Sequence, residues 1–493
     1  MFRIPRLLFL GGALLLLTHC KTTPSPQPGS SALDTTALGE GGTLTVVGTI
    51  PGRYSETRDD CVGQVIIQGE QIVAVRCGLR EVAEPFIALS PLYPSKKPDD
   101  YDYIYPGLIE MHNHNKQNHL PVWNMGEYQG IWNNRFEWRK IKWASLRNFM
   151  PATYADNVGG NMNPWSSPFG GNADKPATVA TYRWSEMQAM AHGAVVNQSY
   201  TADTNNYNVT SVSEVSGAEE TGDIIDPYSM RFFWNEVRPA MAGSDLGTAT
   251  TAVLKQYCKD IPDNVMSGVP SACEPLETTE SSQKTKINAF LKMFKKIVGR
   301  LERNPRVLVT HLAEGRRDDP YNKIEYEIVK LLGLAKDNLV VIHGVGVDAA
   351  GYADMANRGV GLVWSPYSNL ILYRQTADIN AAWNARGENG QQLVVALGSD
   401  WTPTGAKSVL EELRVARAYN QAVGAGLTDD DLYAMVTENP AKLLKLEGKL
   451  GTLKPGALAS IFNVGSPTQR AMQGFNDARD CLQRCCYFRY GFG

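Results

Sequence analysis

The chain has 493 residues, 43% hydrophobic and 20% charged, with a formal net charge of -3. That length exceeds one ordinary domain and suits one large catalytic domain with a smaller accessory one. The near-neutral balance excludes a basic nucleic-acid surface, an acidic tail and a disordered chain, and it fits a small polar substrate with no nucleic-acid partner.

At the start of the chain, Arg3 and Arg6 precede an apolar run from Leu7 to Leu17 that stops at Cys20. This is the grammar of an export signal. The run is too short to cross a bilayer, and no other stretch approaches the about 20 apolar residues that a transmembrane helix requires. Leu17-Thr18-His19-Cys20 resembles a bacterial lipoprotein box. The resemblance implies lipidation at Cys20, membrane contact through that anchor alone and a place in the cell envelope, with a periplasmic or secreted protein as the alternative. Residues 21–42, rich in Thr, Ser, Pro and Gly, read as a flexible tether. In an oxidising compartment the other cysteines favour disulfides. Cys61 with Cys77 and Cys258 with Cys273 are the natural local pairs, while Cys481, Cys485 and Cys486 crowd a tail over 467–493. Seven cysteines after Cys20 are an odd number, and spacing alone leaves their connectivity open.

Residues 43–104 hold short β-type runs with turn residues between them, and residues 450–466 repeat that pattern. Together they predict a small β-sandwich domain built from both ends of the chain. Residues 105–449 instead alternate apolar runs of strand length with segments of helical period, the pattern of a parallel sheet with crossover helices. Arg306 to Thr310, Asn338 to Ile342, Gly359 to Trp364 and Leu393 to Leu397 give four successive strands. With Tyr105 to Met111 and Gly193 to Asn197 they make six of the eight strands of an α/β fold of the TIM-type (β/α)₈ barrel class. The third and fourth strands must fall between Ser199 and Pro305, with Met230 to Trp234 as a candidate for one of them. Insertions over 115–180 and 200–285 exceed ordinary loop lengths and are expected over the barrel mouth. The first carries Trp123, Trp132, Trp138, Trp143 and Trp165, which could stack on a flat ring or pack a surface subdomain.

Histidine is scarce, seven in the chain, so where the histidines fall is informative. His112 and His114 end one apolar run, and a strand's period of two sends both to one side. His311 and His343 each stand directly after another such run, and Asp400 follows Ala396-Leu-Gly-Ser399. The C-terminal face of a parallel barrel gathers residues distant in sequence, so these groups are expected around one ion. Imidazoles with one carboxylate suit Zn²⁺, or Fe²⁺, with a position left open for water.

Through Pro106-Gly-Leu-Ile-Glu-Met-His112-Asn-His114, Thr310-His-Leu-Ala-Glu314, Val341-Ile-His-Gly344 and Leu397-Gly-Ser-Asp400, the chain resembles the amidohydrolase superfamily. His311-Leu-Ala-Glu314 and Trp364-Ser-Pro-Tyr-Ser-Asn369 are similar to its mononuclear aminohydrolase and triazine hydrolase branch. The resemblance implies that His112, His114, His311 and Asp400 bind one divalent ion, that His343 hydrogen-bonds the attacking water and that Glu314 carries a proton to the leaving nitrogen, with Asp400 sharing in the proton work. The expected activity is hydrolysis of a carbon–nitrogen bond other than a peptide bond, as in deamination of a cyclic substrate. A binuclear amidase or cyclic-imide hydrolase is the alternative, and it would need a modified lysine at the end of the fourth strand. The lysines on offer, Lys255 to Lys296, mostly fall in helix-period stretches. A surface lipoprotein that binds a ligand without turnover is the alternative from another class. Gln117, His119, Arg316, Ser365 and Asn369 are further candidates for substrate contact, and self-association stays open.

Overall fold

In the computed structural model the described residues are 42–90, 93–114, 118, 131–138, 185, 187–199, 218–221, 227–261, 273–303 and 307–464. Cys20, the tether, Gln117, His119, the tail cysteines and Trp123, Trp143 and Trp165 lie outside them. Among the described residues no helix is long and apolar enough to cross a membrane.

Strands β1 (Thr43–Ile50), β2 (Cys61–Gln68), β3 (Gln71–Cys77), β4 (Phe86–Ala88) and β5 (Tyr103–Pro106) join a strand from the far end of the chain, Ile461–Val464, in one six-stranded sheet. β1 and β2 run antiparallel from Thr43↔Gln68 to Ile50↔Cys61, and Cys61 is bonded to Cys77 across the neighbouring pair. The late strand pairs with β5 from Ile461↔Pro106 to Val464↔Tyr103. The described strands form one sheet here, and a second layer that would make a sandwich is not among them.

The chain then passes through Gly107 into β6 (Leu108–Asn113), which pairs in parallel with β7 (Ala194–Ser199). A second parallel sheet contains β8 (Ala218–Thr221), β9 (Val307–Leu312), β10 (Leu339–His343), β11 (Gly361–Trp364) and β12 (Val395–Leu397), in the order β12-β11-β10-β9-β8. Every residue of β9 to β12 is buried, as expected of strands covered on both faces. Val307, Val309, Val340, Ile342, Val363 and Ala396 pack on one face with Ile109 and Met111 of β6, closed below by Ala441, Leu443 and Leu444. Leu308, Leu312, Val341, Leu362, Trp364 and Leu397 pack on the other face against the helices. Each fully buried Val or Leu among them contributes about 1.5–3 kcal/mol by leaving water. The helices stop where their caps dictate. Asp319, Asp348 and Ser408 accept N-terminal amides of Pro320–Leu331, Ala349–Arg358 and Val409–Val423, and Gly359 and Gly424 end the last two in the left-handed region.

One expectation changes. Met230 to Trp234 is not a strand: Pro227–Phe232 is α-helical and Phe233–Val237 continues it as a π-helix. Its apolar run is a buried helix whose Phe232 and Phe233 pack on Phe290 of the helix Ser281–Arg303, where Ile287 and Phe294 are buried as well. The strand beside β9 is Ala218–Thr221 instead, a polar stretch with no hydrophobic period. The second disulfide, Cys258–Cys273, closes the segment just before Ser281–Arg303.

The two parallel sheets approach each other between β12 and β6. Beside Ile109 near the start of β6 and Leu397 at the end of β12, Met435 and Val436 fill the seam, their carbonyls accepting from Leu397 and Ile109 respectively. At the C-terminal ends the strands meet directly: Asn113 bridges Asp400, and the Asp400 amide donates to the His112 carbonyl over 2.9 Å. Gly398 is required there, because a Cβ would stand 2.8 Å from the His112 backbone nitrogen. Glu110 Oε1 accepts from the Ser399 amide over 2.9 Å, while Oε2 has no hydrogen-bond partner. Burial pushes the Glu110 carboxyl up to about 7, against the lowering by that amide. Folding therefore favours the protonated acid. The contribution is complete below the ordinary value of 4.5 and is lost as pH rises through about 7. In chelator-treated protein, Glu110→Gln should match wild type in urea unfolding at low pH and gain roughly 1–3 kcal/mol on it by about pH 8. A gap that does not change with pH would contradict the buried acid.

Candidate metal centre and proton-handling groups

The site forms where the strands end, and three backbone irregularities aim its side chains. His311 continues the inner face of Val307 and Val309. Strict alternation would send His343, one residue beyond Ile342, to the other face. A φ of 72° breaks that alternation, and the His343 ring lies 5.3 Å from the His311 ring. Asp400 (φ 61°) and Ala313 (φ 53°), which precedes Glu314, are left-handed as well. Such conformations persist only where the surroundings over-determine them. Here the Ala313 amide is held by Glu325 Oε2, the Gly344 amide by the Leu312 carbonyl and the Asp400 amide by the His112 carbonyl.

Four imidazoles and a carboxylate converge. His112 Nε2 lies 3.3 Å from His114 Nε2 and 3.5 Å from Asp400 Oδ1, and His114 Nε2 lies 3.3 Å from the same oxygen. His112 with His114 and Asp400 is one group able to hold an ion, and His112 with His311 and His343 is a second that shares a member. Burial holds the His112 and His311 rings well below the usual imidazole range, so both offer lone pairs. Burial opposes the charge on Asp400, and the hydrogen bond from His114 favours it.

The residues fit a divalent ion. Ligand bonds of about 2.0–2.1 Å in tetrahedral array put neighbouring donors about 3.3–3.4 Å apart, close to the spacings among His112, His114 and Asp400. His311 Nδ1 is buried without a hydrogen-bond partner. His112 Nδ1 lies 3.0 Å from Ser365 Oγ, the kind of outer contact that orients a ligand ring.

Glu314 is 3% exposed, and its Oε2 lies 3.6 Å from His343 Nε2. Its Oε1 accepts the Tyr373 hydroxyl over 2.7 Å, and the Trp138 indole donates to that hydroxyl over 2.8 Å. Trp138 also stacks on Trp401, next to Asp400, with ring centroids 6.0 Å apart. A piece of the first insertion is thereby fixed to the site. Arg135 pairs with Glu325 over 2.8 Å with both side chains fully buried, Asn134 donates to Asp319 over 2.6 Å, and the Arg316 amide donates to the Asn133 carbonyl over 2.7 Å.

Of the expected substrate contacts, Ser365 and Asn369 are fully buried and face His112 and His343 respectively. Arg316 is paired with Asp318 over 3.0 Å. Tyr373, Thr376 and the Arg135–Glu325 pair did not emerge from the sequence reading, which named Trp138 only among the tryptophans of the first insertion. One signal was available for Tyr373: it stands four residues after Asn369, on the same face of the helix Pro366–Tyr373.

The Amidohydrolase family model matches residues 282–482. Over 168 residues the chain is 27% identical to a 5-methylthioadenosine/S-adenosylhomocysteine deaminase of Thermococcus sibiricus, covering 32% of this chain and 38% of that protein. A deaminase of the same name from Teredinibacter turnerae is 30% identical over 137 residues, 27% of this chain and 30% of its own. The chain thus spans less than half the length of these curated relatives. Among solved structures, a triazine hydrolase variant matches with a TM-score of 0.51 at 15% identity, covering 85% of this chain and 86% of that one. An atrazine chlorohydrolase of Arthrobacter aurescens TC1 complexed with zinc matches over the same shares with a TM-score of 0.50 at 14% identity. These two likenesses concern the fold. Residues 282–482 thus match the amidohydrolase family, and the strands bring His112, His114, His311, Glu314, His343 and Asp400 to one place.

Proposed function

We propose that the protein is a mononuclear, metal-dependent aminohydrolase that removes ammonia from a cyclic nitrogenous substrate. One observation carries the reading: a donor set suited to a single ion stands directly beside a buried Glu314–His343 pair, the former for binding and the latter for moving protons. His112, His114, His311 and Asp400 would hold the ion. Zinc suits these donors, with Fe²⁺ as the alternative. When bound, such an ion supplies Lewis acidity and makes hydroxide available near neutral pH. Glu314 takes the proton that water gives up as it adds to the carbon bearing the amino group, and passes it to the departing nitrogen. Tyr373 fixes the direction of that carboxylate through Oε1. The curated relatives, deaminases of 5-methylthioadenosine and S-adenosylhomocysteine by name, direct the substrate search to 6-aminopurine nucleosides.

A single ion is favoured over two by the strand beside β9. Ala218–Thr221 contains no lysine, and the residues that follow it, Gly222 to Asp226, contain none either. The bridging side chain of the binuclear branch therefore has no residue to supply it there. A closed eight-stranded barrel belongs to the same proposal and is supported by the meeting of β12 with β6 and by the two fold likenesses. So does an exported, lipid-anchored enzyme, which the pairs Cys61–Cys77 and Cys258–Cys273 support, since disulfides persist in oxidising compartments.

Zinc-loaded protein should release ammonia from at least one of adenosine, 5-methylthioadenosine, S-adenosylhomocysteine, guanine or an aminotriazine, and lose that activity on chelation. Glu314→Gln should retain its zinc and lower kcat by about 10²–10⁴-fold. Tyr373→Phe should lower kcat by about 10–100-fold, the worth of one hydrogen bond to a charged group, with KM little changed. Undiminished turnover by Glu314→Gln would refute the proton-transfer role.

A further inference from the structure

His343 belongs to a candidate ion-binding group with His112 and His311, so proximity alone leaves open whether it binds an ion or works beside one. Its hydrogen bonds decide. His343 Nδ1 lies 2.9 Å from Asn369 Nδ2, with the two residues 1% and 0% exposed. Which end of the Asn369 amide faces the ring follows from the next two links. The Trp364 indole can only donate, and it donates to Thr376 Oγ1 over 2.8 Å. Thr376 is fully buried, so its hydroxyl hydrogen needs an acceptor, and Asn369 Oδ1 stands 3.3 Å away. A reversed amide would direct its NH₂ at an oxygen that already accepts the indole, and would take from the hydroxyl the acceptor that Oδ1 provides. Asn369 thus turns its oxygen to Thr376 and its NH₂ to His343. A ring nitrogen that accepts from an amide carries no hydrogen, and in the neutral imidazole the hydrogen is then on the other nitrogen. That nitrogen is Nε2, 3.6 Å from Glu314 Oε2.

We infer that Trp364, Thr376 and Asn369 are positioning residues that lock His343 as the Nε2–H tautomer, a hydrogen-bond donor towards Glu314 and the reacting oxygen that has no lone pair to give a metal. The lock assigns the ion to His112, His114, His311 and Asp400 and leaves His343 beside it. Its catalytic meaning rests on the aminohydrolase reading; the tautomer itself does not.

The test uses the full chain, metal-free and above neutral pH, with ¹⁵N-labelled histidine and His343 identified by the signals lost in His343→Gln. The lock predicts a proton on His343 Nε2 and an unprotonated Nδ1. Thr376→Val, close in shape but without the hydroxyl, should turn this into a mixture of tautomers. Zinc alone, titrated into His343→Gln, should bind within about threefold of wild type, whereas His311→Gln should bind it at least about 100-fold more weakly. A proton on Nδ1 in wild type, an unchanged spectrum in Thr376→Val or equal zinc loss in the two glutamine variants each overturns the inference. Absence of turnover with every substrate, with the tautomer as predicted, would defeat the aminohydrolase reading and not the lock.

Discussion

A carboxylate buried among imidazoles sets the terms for the rest of this molecule. Asp400 is 5% exposed and stands within 3.5 Å of His112 and His114. Removing an ionised carboxylate from water costs several kcal/mol unless compensating charge and hydrogen bonds surround it. Neutral, buried His112 and His311 supply lone pairs and no full charge. A divalent cation answers both needs at once, since it neutralises Asp400 and accepts the imidazole lone pairs. The backbone contributes to the same arrangement: β12 ends against β6 with room for no side chain at Gly398, which brings the Asp400 amide onto the His112 carbonyl.

Around that centre a single short helix does most of the orienting. Pro366–Tyr373 follows β11 at once, and Ser365, Asn369 and Tyr373 at its start, middle and end face His112, His343 and Glu314 in turn. Spacing by four residues stacks Ser365, Asn369 and Tyr373 on one helix face, so one rigid element addresses a candidate ligand and both candidate proton-handling groups. From the opposite side, Trp138 reaches Tyr373 while Arg135 and Glu325 hold the turn that carries Glu314. The Arg135–Glu325 pair is buried, so losing one partner would leave an uncompensated charge and cost about 3–5 kcal/mol.

Much of this was legible in the sequence, for physical reasons that also mark where it was not. β9 to β12 are apolar on both faces, so they read as continuous hydrophobic runs, and His311, His343 and Asp400 fall at or just beyond the C-terminal ends of β9, β10 and β12. Ala218–Thr221 gave no such signal because three of its four residues are polar. Met230 to Trp234 gave a false one, because a buried helix and a buried strand share the same short apolar run. Ser365 and Asn369 were singled out by the motif that contains them as substrate contacts, yet their partners in the structure are histidines, a matter of side-chain direction that spacing does not reveal. Trp138 and Arg135 act through contacts more than 180 residues distant in sequence, with no local pattern to announce them.

The central claim is one ion with three imidazoles and one carboxylate, served by Glu314 and His343. X-ray absorption of the zinc-reconstituted full chain, read with its zinc content, tests it most directly. The account predicts one zinc per chain, coordinated by three imidazoles and oxygen ligands. Two zinc ions with a metal–metal separation of about 3.5–4 Å, or a fourth imidazole in the coordination sphere, would contradict it.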